Sequence, residues 1–148
     1  MQITLRPAHP DDVIFARQLY YDTMRWIIER LFGWDEAREN TKFAHQFKLE
    51  EVEIITVDGL DAGWLQTQSN DSTIILGQLY VAPALQRRGI GTEALNKLLR
   101  RARRQGKAVT LSVVKINPAR HFYERHGFRM THEDQFKFYM RRDFTPDV

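Results

Sequence analysis

Three observations predict an α/β fold with a mixed sheet. The chain has 148 residues, 43% of them hydrophobic and 28% charged, which is enough for one domain with its own core, residues 1–148. Helical apolar spacing and two-residue alternation succeed one another in the order β-α-α-β-β-β-α-β-α-β-β. From Thr73 to Val114 a strand, a glycine-containing turn, a helix and a second strand follow in the order of a βαβ unit.

The first third of the chain predicts one strand and two helices. Ile3 and Leu5 alternate with polar neighbours, and the proline that follows them is expected to end the strand. Apolar side chains then keep a helical period from Pro10 to Gly33. A second helix is predicted from Glu36 to Phe47.

The middle of the chain predicts three strands. Val52–Val57 and Gly63–Gln68 alternate in polarity, and Asp58-Gly59 between them is typical of a tight hairpin turn. Thr73–Val81 is almost continuously apolar. Such a run is typical of a central strand that is buried on both faces.

The last third predicts two helices and three strands. Gly89–Gln105 has one apolar helix face, and Pro118–His126 has a proline in its first turn and a glycine past its end. The three strands are predicted at Val109–Val114, Phe128–Thr131 and Gln135–Arg141.

The composition excludes several classes of chemistry. Cysteine is absent, which excludes disulfides, a thiolate nucleophile and thiolate zinc sites. The histidines lack metal-ligand spacing, so we expect no metal. No apolar run approaches the roughly 18 residues of a membrane span, and the first residues lack the apolar core of a signal peptide. We therefore expect a soluble, cytoplasmic protein with no membrane partner.

The basic residues are unevenly placed. Lysine and arginine number 22 against 19 acids, a formal charge of +3, and eight of these cations fall between Arg87 and Lys107. Such a cluster indicates a polyanionic ligand, either nucleic acid or a phosphorylated cofactor. The alternative for the last arginines is a solvated helix face whose cations suit the helix C-terminus.

A second observation narrows the choice of ligand. Gly89 and Gly91 lie where a loop enters a helix, and Arg87 and Arg88 stand beside them. Glycine allows a ligand to approach the backbone, and the first N–H groups of a helix have no partner inside it. Together with the helix dipole these groups favour a phosphate. The spacing is neither that of a Walker loop nor that of a Rossmann motif, and turn chemistry is the alternative interpretation.

Two motifs together resemble a known family. Gln86-x-x-Gly89-x-Gly91 follows a strand that ends in Leu-Tyr-Val, and Asn-Pro-Ala-Arg-x-x-Tyr-Glu-Arg-x-Gly-Phe covers residues 117–128. This combination resembles the GCN5-related N-acetyltransferases (GNATs). The match in motif runs from Leu76 to Phe128, and the order of elements agrees along the chain. The resemblance implies a mostly antiparallel sheet of about seven strands with a splayed parallel central pair, flanked by about four helices.

The resemblance also implies acetyl-CoA as the acyl donor. Its pantetheine arm would enter between the splayed strands Thr73–Val81 and Val109–Val114. The N–H of Val81 would polarise the thioester carbonyl as a single-donor oxyanion site. The other implied contacts are backbone groups of Leu79, Tyr80 and Val81, backbone N–H groups of Arg87, Arg88, Gly89, Ile90, Gly91 and Thr92, and the side chain of Asn117.

Acetyl transfer to an amine needs a neutral nucleophile, a polarised carbonyl and a proton for the departing thiolate. Tyr123 matches the tyrosine that supplies this proton in the family, and core packing is the alternative. Many relatives carry a glutamate near the position of Ile75 or Leu76, where this chain has no carboxylate. No base is therefore assigned. The open alternatives are a water chain or a carboxylate from elsewhere, such as Asp22, Glu51 or Glu53.

The sequence thus predicts an acetyl-CoA-dependent N-acetyltransferase that acts on a small-molecule or peptide amine by direct transfer. A non-catalytic acyl-CoA-binding sensor or regulatory module is the second hypothesis, because the strand carboxylate is missing. Nucleic-acid binding through Arg100–Arg104 is not expected, since no aromatic residues interleave there. Many relatives form dimers, so a homodimer stays open. Core packing or an amine pocket is predicted for Tyr20, Tyr21, Trp26, Phe32 and Trp34.

Overall fold

The computed structural model describes residues 1–145, in which four α-helices and seven strands form. The helices are α1 (Val13–Phe32), α2 (Glu36–Gln46), α3 (Ile90–Gln105) and α4 (Ala119–Arg125). The strands are β1 (Ile3–Pro7), β2 (Val52–Val57), β3 (Leu60–Ser69), β4 (Thr73–Val81), β5 (Ala108–Val114), β6 (Arg129–Glu133) and β7 (Lys137–Arg142). The last three residues of the predicted 1–148 domain lie outside the described residues.

The seven strands form a mixed sheet in the order β1-β2-β3-β4-β5-β7-β6. β1–β2, β2–β3, β5–β7 and β6–β7 pair antiparallel, whereas β4 and β5 run parallel. The parallel pairing joins Thr73–Ile75 to Ala108–Thr110. The predicted fold class, a mostly antiparallel sheet with one parallel pair and four helices, is confirmed.

The chain forms two compact units, of which the first comprises residues 1–66 and 78–94. In this unit α1 and α2 pack on one face of the strands, and the indole N–H of Trp64 donates to the carbonyl of Ala16 at 3.1 Å. Neighbouring residues of a strand point to opposite faces. Ile54 accordingly belongs to this core, while Ile55 packs with Ile90 at the start of α3 in a second core.

The second unit comprises residues 67–77 and the chain from residue 95 onward. Its buried side chains come from one face of α3, from β5, from Met140 of β7, and from α4 and the residues that follow it. They include Leu95, Leu98, Val109, Leu111, Tyr123, Phe128 and Met140. The period-two pattern therefore marks the strand positions that are buried in this unit.

Most element boundaries agree with the sequence to within a few residues, and the differences have identifiable reasons. β1 continues through Pro7 because it is an edge strand, where a missing N–H is tolerated. β3 begins at Leu60 rather than Gly63, because the two-residue turn lets Val57 pair directly with Leu60. Ile75 is 39% exposed, so the expectation that β4 is buried on both faces is wrong at this residue.

The hairpin turn itself is confirmed. Asp58 and Gly59 both have positive φ angles, 51° and 85°, as a type I′ turn requires. The last two strands are shifted towards the C-terminus, to β6 and β7, because Phe128 is buried with the end of α4 instead of entering a strand. Among residues 1–145, no helix combines the length and the apolar character needed to cross a membrane.

An ion pair near the start of the first unit predicts that the stability of the fold depends on pH. Arg6 donates two hydrogen bonds of 2.9 Å to the carboxylate of Asp12, whose side chain is 11% exposed. These bonds hold the pKa of Asp12 below its usual range. Since that pKa is lower in the folded chain, the stabilisation is present above about pH 4 and is lost as the pH falls through the folded value.

We expect Asp12→Asn to lower the free energy of unfolding at pH 7 by roughly 1–3 kcal/mol and to flatten its dependence on pH below 4. Urea unfolding between pH 7 and pH 3 measures both effects. Asp11→Asn is the matched control, because Asp11 is exposed. If both variants lose stability equally and keep the same pH dependence, the pair does not stabilise the fold.

Candidate active site

The carboxyl end of β4 lies in the first unit and has a different core on each side. Leu79 and Val81 pack with the core around Ile90, whereas Tyr80 packs with the core around Trp64. The carbonyl of Val81 accepts a hydrogen bond of 2.9 Å from the side-chain amide of Gln86. This bond ties the end of the strand to the loop that follows it.

That loop, residues 86–92, has two residues in unusual backbone conformations. Arg87 and Gly89 have φ angles of 65° and 81°, and left-handed residues of this kind occur in the backbone turns that direct N–H groups towards an anion. A positive φ at a non-glycine residue costs about 1–3 kcal/mol and is concentrated at functional sites. Arg87 therefore marks this loop as one whose shape is maintained despite strain.

The start of α3 adds further donors to the 86–92 loop. The first backbone hydrogen bond of the helix runs from the N–H of Glu93 to the carbonyl of Gly89 at 3.0 Å. The N–H groups of Ile90 and Gly91 precede it, and such groups have no acceptor inside a helix. Arg87 and Arg88 are exposed beside them. A Cβ at Gly89 would meet none of the surrounding protein atoms within 4 Å, so this side of the loop is open.

Asn117 and Tyr123 lie in the second unit. Asn117 follows β5 in a turn, where its N–H donates to the carbonyl of Val114 at 2.9 Å. Its side-chain carbonyl accepts a bond of 2.9 Å from the N–H of Ala119 and so caps α4. One side of the Asn117 amide thus has a structural task, and its NH₂ group is the part that is suited to a ligand.

Tyr123 lies on α4 and is buried, with 9% of its surface exposed. Its ring centroid lies 5.6 Å from that of Phe128 and 5.3 Å from that of Phe122, both in edge-on contact. Burial raises the pKa of the Tyr123 phenol well above its ordinary value. The hydroxyl therefore keeps its proton throughout the neutral range, as a proton donor must.

The three carboxylates that the sequence left open as bases all have other partners or exposed positions. Asp22 accepts a hydrogen bond from Gln18 at 2.8 Å on the exposed side of α1. Glu51 accepts one from Gln66 at 2.8 Å. Glu53 lies within β2, opposite Pro7 and Leu65. The structure gives no reason to select one of them.

Sequence reasoning missed a buried carboxylate, Glu39 on α2. It is 2% exposed, and one of its oxygens accepts a hydrogen bond of 2.9 Å from Arg38. The other oxygen, Oε1, is buried without a hydrogen-bond partner. A signal was present in the sequence, because Glu39 stands four residues before Phe43 and hence on the same helix face.

Glu39 lies beside an aromatic cluster formed by α1, α2, β3 and β4. Tyr20 contacts Tyr21, Phe43 and Tyr80 at ring distances of 5.7–5.8 Å, and Tyr80 contacts Trp64 at 5.2 Å. Burial, followed by the charge of Glu39, raises the pKa of Tyr20 to about 12. The cluster therefore joins a buried acid to Tyr80, the neighbour of Val81.

Membership of this cluster corrects part of the sequence analysis. Tyr20, Tyr21 and Trp34 belong to it, as predicted. Trp26 and Phe32 are 45% and 59% exposed, because they lie off the buried face of α1. Among residues 1–145, no group of three potential metal ligands lies together.

Residues 17–128 match the model of the acetyltransferase (GNAT) family. The structure is also similar to the PaiA N-acetyltransferase of Thermoplasma acidophilum in complex with coenzyme A, with a TM-score of 0.80 and 17% identity over 97% of this chain and 100% of that one. The ribosomal-protein-S18-alanine N-acetyltransferase of Escherichia coli gives a TM-score of 0.71 and 20% identity over 99% of this chain and 97% of that one. No curated protein matches the sequence significantly.

These structural similarities concern the fold, whereas the family follows from the sequence match. The matched segment covers more than half of the chain and includes the 86–92 loop, Asn117 and Tyr123. With that match, and with the geometry of the loop, the chain belongs to the GNAT family of acetyltransferases.

Proposed function

We propose that this protein transfers an acetyl group from acetyl-CoA directly to a primary amine. The observation that carries the proposal is the 86–92 loop, where left-handed residues at Arg87 and Gly89 precede the N-terminus of α3. Backbone turns of this kind, followed by a helix N-terminus, bind phosphate oxygens through backbone N–H groups. Membership of the GNAT family and the coenzyme A in a similar structure support this donor.

Each part of the chain has a defined task in the proposed reaction. The N–H groups of residues 87–92 bind the pyrophosphate, and backbone groups of Leu79–Val81 bind the pantetheine arm. The N–H of Val81 polarises the thioester carbonyl, and the amide of Asn117 contacts the arm. The thioester supplies an activated acetyl group when acetyl-CoA is bound. Tyr123 donates its phenolic proton to the departing thiolate.

The absence of cysteine from the sequence fits direct transfer. No acetyl-cysteine intermediate can form, so the amine nitrogen must attack the thioester carbon itself. The neutral amine nitrogen attacks, and its bond to the acetyl carbon forms as the bond to sulfur breaks. The nitrogen then loses one proton to a base, while the thiolate takes the proton of Tyr123, which solvent restores. The structure singles out no side chain as that base, so we propose that water removes this proton.

The acceptor in this proposal is an amine that the first unit binds as a cation and that loses a proton before it attacks. The buried carboxylate of Glu39 has one oxygen without a partner, and the rings of Tyr20 and Tyr21 lie beside it. A carboxylate among aromatic faces favours ammonium groups through charge and cation–π contacts. Whether the acceptor is a small molecule or a peptide stays a prediction from the sequence. So do the cytoplasmic location, the homodimer, and the absence of metal, membrane and nucleic-acid partners.

One observation favours the second candidate, a non-catalytic acyl-CoA-binding module. Ile75 and Leu76 occupy the region where many family members have a glutamate. Release of free thiol from acetyl-CoA, measured with a panel of diamines, amino acids and peptides, decides between the two. Turnover with any amine supports the transferase. Tight binding of acetyl-CoA by calorimetry without turnover favours the module, and absence of both contradicts either function.

Gly89 gives a direct test of the 86–92 loop. We expect Gly89→Ala to weaken CoA binding by about tenfold, because the added methyl group occupies the ligand side of the loop and reduces a charge-assisted contact. Alanine at this position must adopt the positive φ angle of Gly89, 81°, which should lower the free energy of unfolding of the variant by roughly 1–2 kcal/mol. Calorimetric titration with CoA measures the first effect and urea unfolding the second.

Gly33→Ala is the matched control for this variant. Gly33 has a φ angle of 72°, and its Cβ would also meet nothing within 4 Å. It ends α1, so it shares the backbone strain without belonging to the loop. Equal loss of CoA affinity in the two variants would show that strain alone is responsible and that the loop does not bind the cofactor.

Glu39→Gln tests the acceptor proposal. We expect KM for a cationic amine to rise by about 10- to 100-fold, while CoA affinity is unchanged. A change of this size corresponds to the free energy of a hydrogen bond to a charged group. Steady-state kinetics and CoA titration supply the two readouts. Glu50→Gln is the control, because Glu50 is exposed. A loss of stability with unchanged KM would assign Glu39 a structural role as the partner of Arg38.

A further inference from the structure

The second unit contains a basic groove that includes none of the residues assigned to the proposed reaction. It has a volume of about 180 Å³ and lies among the last turns of α3, the start of β5 and the end of β7. Four of its lining residues are cations, namely Arg100, Arg103, Lys107 and Arg142. Leu99, Val109 and Phe144 supply apolar wall. The groove thus combines concentrated positive charge with a bounded shape.

The one acid in the lining does not neutralise this charge. Asp143 accepts a hydrogen bond of 3.1 Å from Arg129 and one of 2.8 Å from Arg141. Neither of these arginines lines the groove. Both oxygens of Asp143 are therefore engaged by cations outside the set of four, and in the described part of the chain Arg100, Lys107 and Arg142 form no ion pair with it.

Two of the four cations are held in place by neighbours. The ammonium of Lys107 donates to the hydroxyl of Ser69 at 2.8 Å. Arg142 runs against the backbone of Gly127, where a Cβ would come within 3.3 Å of its Nε. Arg100 and Arg103 stand three residues apart on one face of α3. Cations that are already positioned lose less conformational freedom when they bind an anion.

The charge of Arg142 acts on a neighbouring group. The pKa of His126 is lowered, first by burial and then by the charges of Arg125 and Arg142. The pKa of His126 therefore reports changes in the charge around Arg142. An anion bound to Arg142 would reduce the repulsion and shift the pKa of His126 upward.

The size of the groove limits the ligand. At about 30 Å³ for each water molecule in the liquid, a volume of about 180 Å³ corresponds to about six waters. That accommodates a phosphate or pyrophosphate group with a short organic part. Arginine forks match phosphate oxygens in pairs.

We propose that this groove binds a small phosphate-bearing anion through Arg100, Arg103, Lys107 and Arg142. The basic cluster of the sequence then divides into two sites. Arg87 and Arg88 belong to the 86–92 loop, and the arginines further along α3 contribute to the groove. The inference does not depend on the proposed acetyl transfer, since none of the four cations takes part in it.

The test uses the full chain with inorganic pyrophosphate and inorganic phosphate as probes. Isothermal titration gives the affinities of the wild type and of Arg142→Gln, Arg100→Gln, Arg104→Gln and Arg88→Gln. Each variant removes one positive charge. Arg104 is exposed on α3 outside the groove, and Arg88 belongs to the 86–92 loop. Histidine resonances followed by NMR give the pKa of His126 with and without the probe.

We expect Arg142→Gln and Arg100→Gln to weaken binding of the probe by about tenfold each, with little change in Arg104→Gln. The pKa of His126 should rise on binding in the wild type and not in Arg142→Gln. Three results would overturn the proposal: no binding to the wild type, equal losses in Arg104→Gln, or a loss confined to Arg88→Gln. A fourth result would also overturn it: binding of an oligonucleotide that Arg104→Gln weakens as much as Arg100→Gln and Arg142→Gln do, because this would indicate a diffuse nucleic-acid surface.

Discussion

Replacing Tyr123 by phenylalanine is expected to lower kcat by about 100-fold or more, with CoA affinity and stability almost unchanged. The ring keeps its edge-on contacts with Phe128 and Phe122, at 5.6 Å and 5.3 Å, so only the hydroxyl is lost. A proton donor acts in the chemical step and not in binding. The variant therefore separates catalysis from packing, since a purely structural ring would tolerate the change.

The pH dependence sharpens this test. Burial raises the pKa of Tyr123, so the phenol stays protonated beyond about pH 10, the ordinary value for tyrosine. The wild type should therefore show no loss of kcat from ionisation of Tyr123 between pH 7 and pH 10. A pH–rate profile of the wild type and of Tyr123→Phe measures this with any amine that supports thiol release.

Tyr139→Phe is the matched control, because it also removes one phenolic hydroxyl from the second unit. The hydroxyl of Tyr139 donates to Asp134 at 2.7 Å in the turn before β7, and it has no task in the proposed reaction. Its kcat should equal that of the wild type. An unchanged kcat in Tyr123→Phe as well would leave Tyr123 as a core residue and remove it from the mechanism.

The order of helices and strands could be predicted because apolar spacing reports local geometry. Period-two alternation marked β2 and β7, and the helical period marked α1 and α3, to within a few residues of their ends. Apolar spacing does not predict which strands pair with one another. Alternation along β7 is consistent with the burial of Met140, but it does not show that β7 lies between β5 and β6. That order depends on contacts between residues far apart in sequence.

The features of the candidate site that depend on local backbone conformation could be predicted from the sequence. The features that depend on burial by distant parts of the chain could not. The glycines of the 86–92 loop have a local signature, and the loop has the expected form. Glu39 has none beyond its helix face, because a charged residue on a helix is ordinarily solvated. Asn117 shows the opposite limit: its motif predicts a ligand contact, whereas the structure shows its side-chain carbonyl accepting a hydrogen bond from the N–H of Ala119 at the start of α4.

Gly63 is a residue whose importance only the structure shows, and its substitution should have the largest effect on stability. A Cβ at Gly63 would lie 2.1 Å from the carbonyl oxygen of Tyr80 and 3.1 Å from the Cα of Val81. Both are backbone atoms of β4, so no side chain can rotate away. We expect Gly63→Ala to lower the free energy of unfolding by about 3 kcal/mol, at the upper end for overpacking.

The same clash should weaken CoA binding in whatever protein remains folded. To admit the methyl group, β4 must move at Tyr80 and Val81, the segment proposed to bind the pantetheine arm and polarise the thioester. Gly106→Ala is the control, because its Cβ would meet nothing within 4 Å and its φ of 67° contributes backbone strain alone, roughly 1–2 kcal/mol. Urea unfolding and CoA titration of both variants give the comparison. Equal losses of stability in the two variants would mean that β3 and β4 can move apart without cost. A larger loss of stability in Gly63→Ala, together with weaker CoA binding, would show that the position of the Val81 N–H depends on the spacing of these two strands.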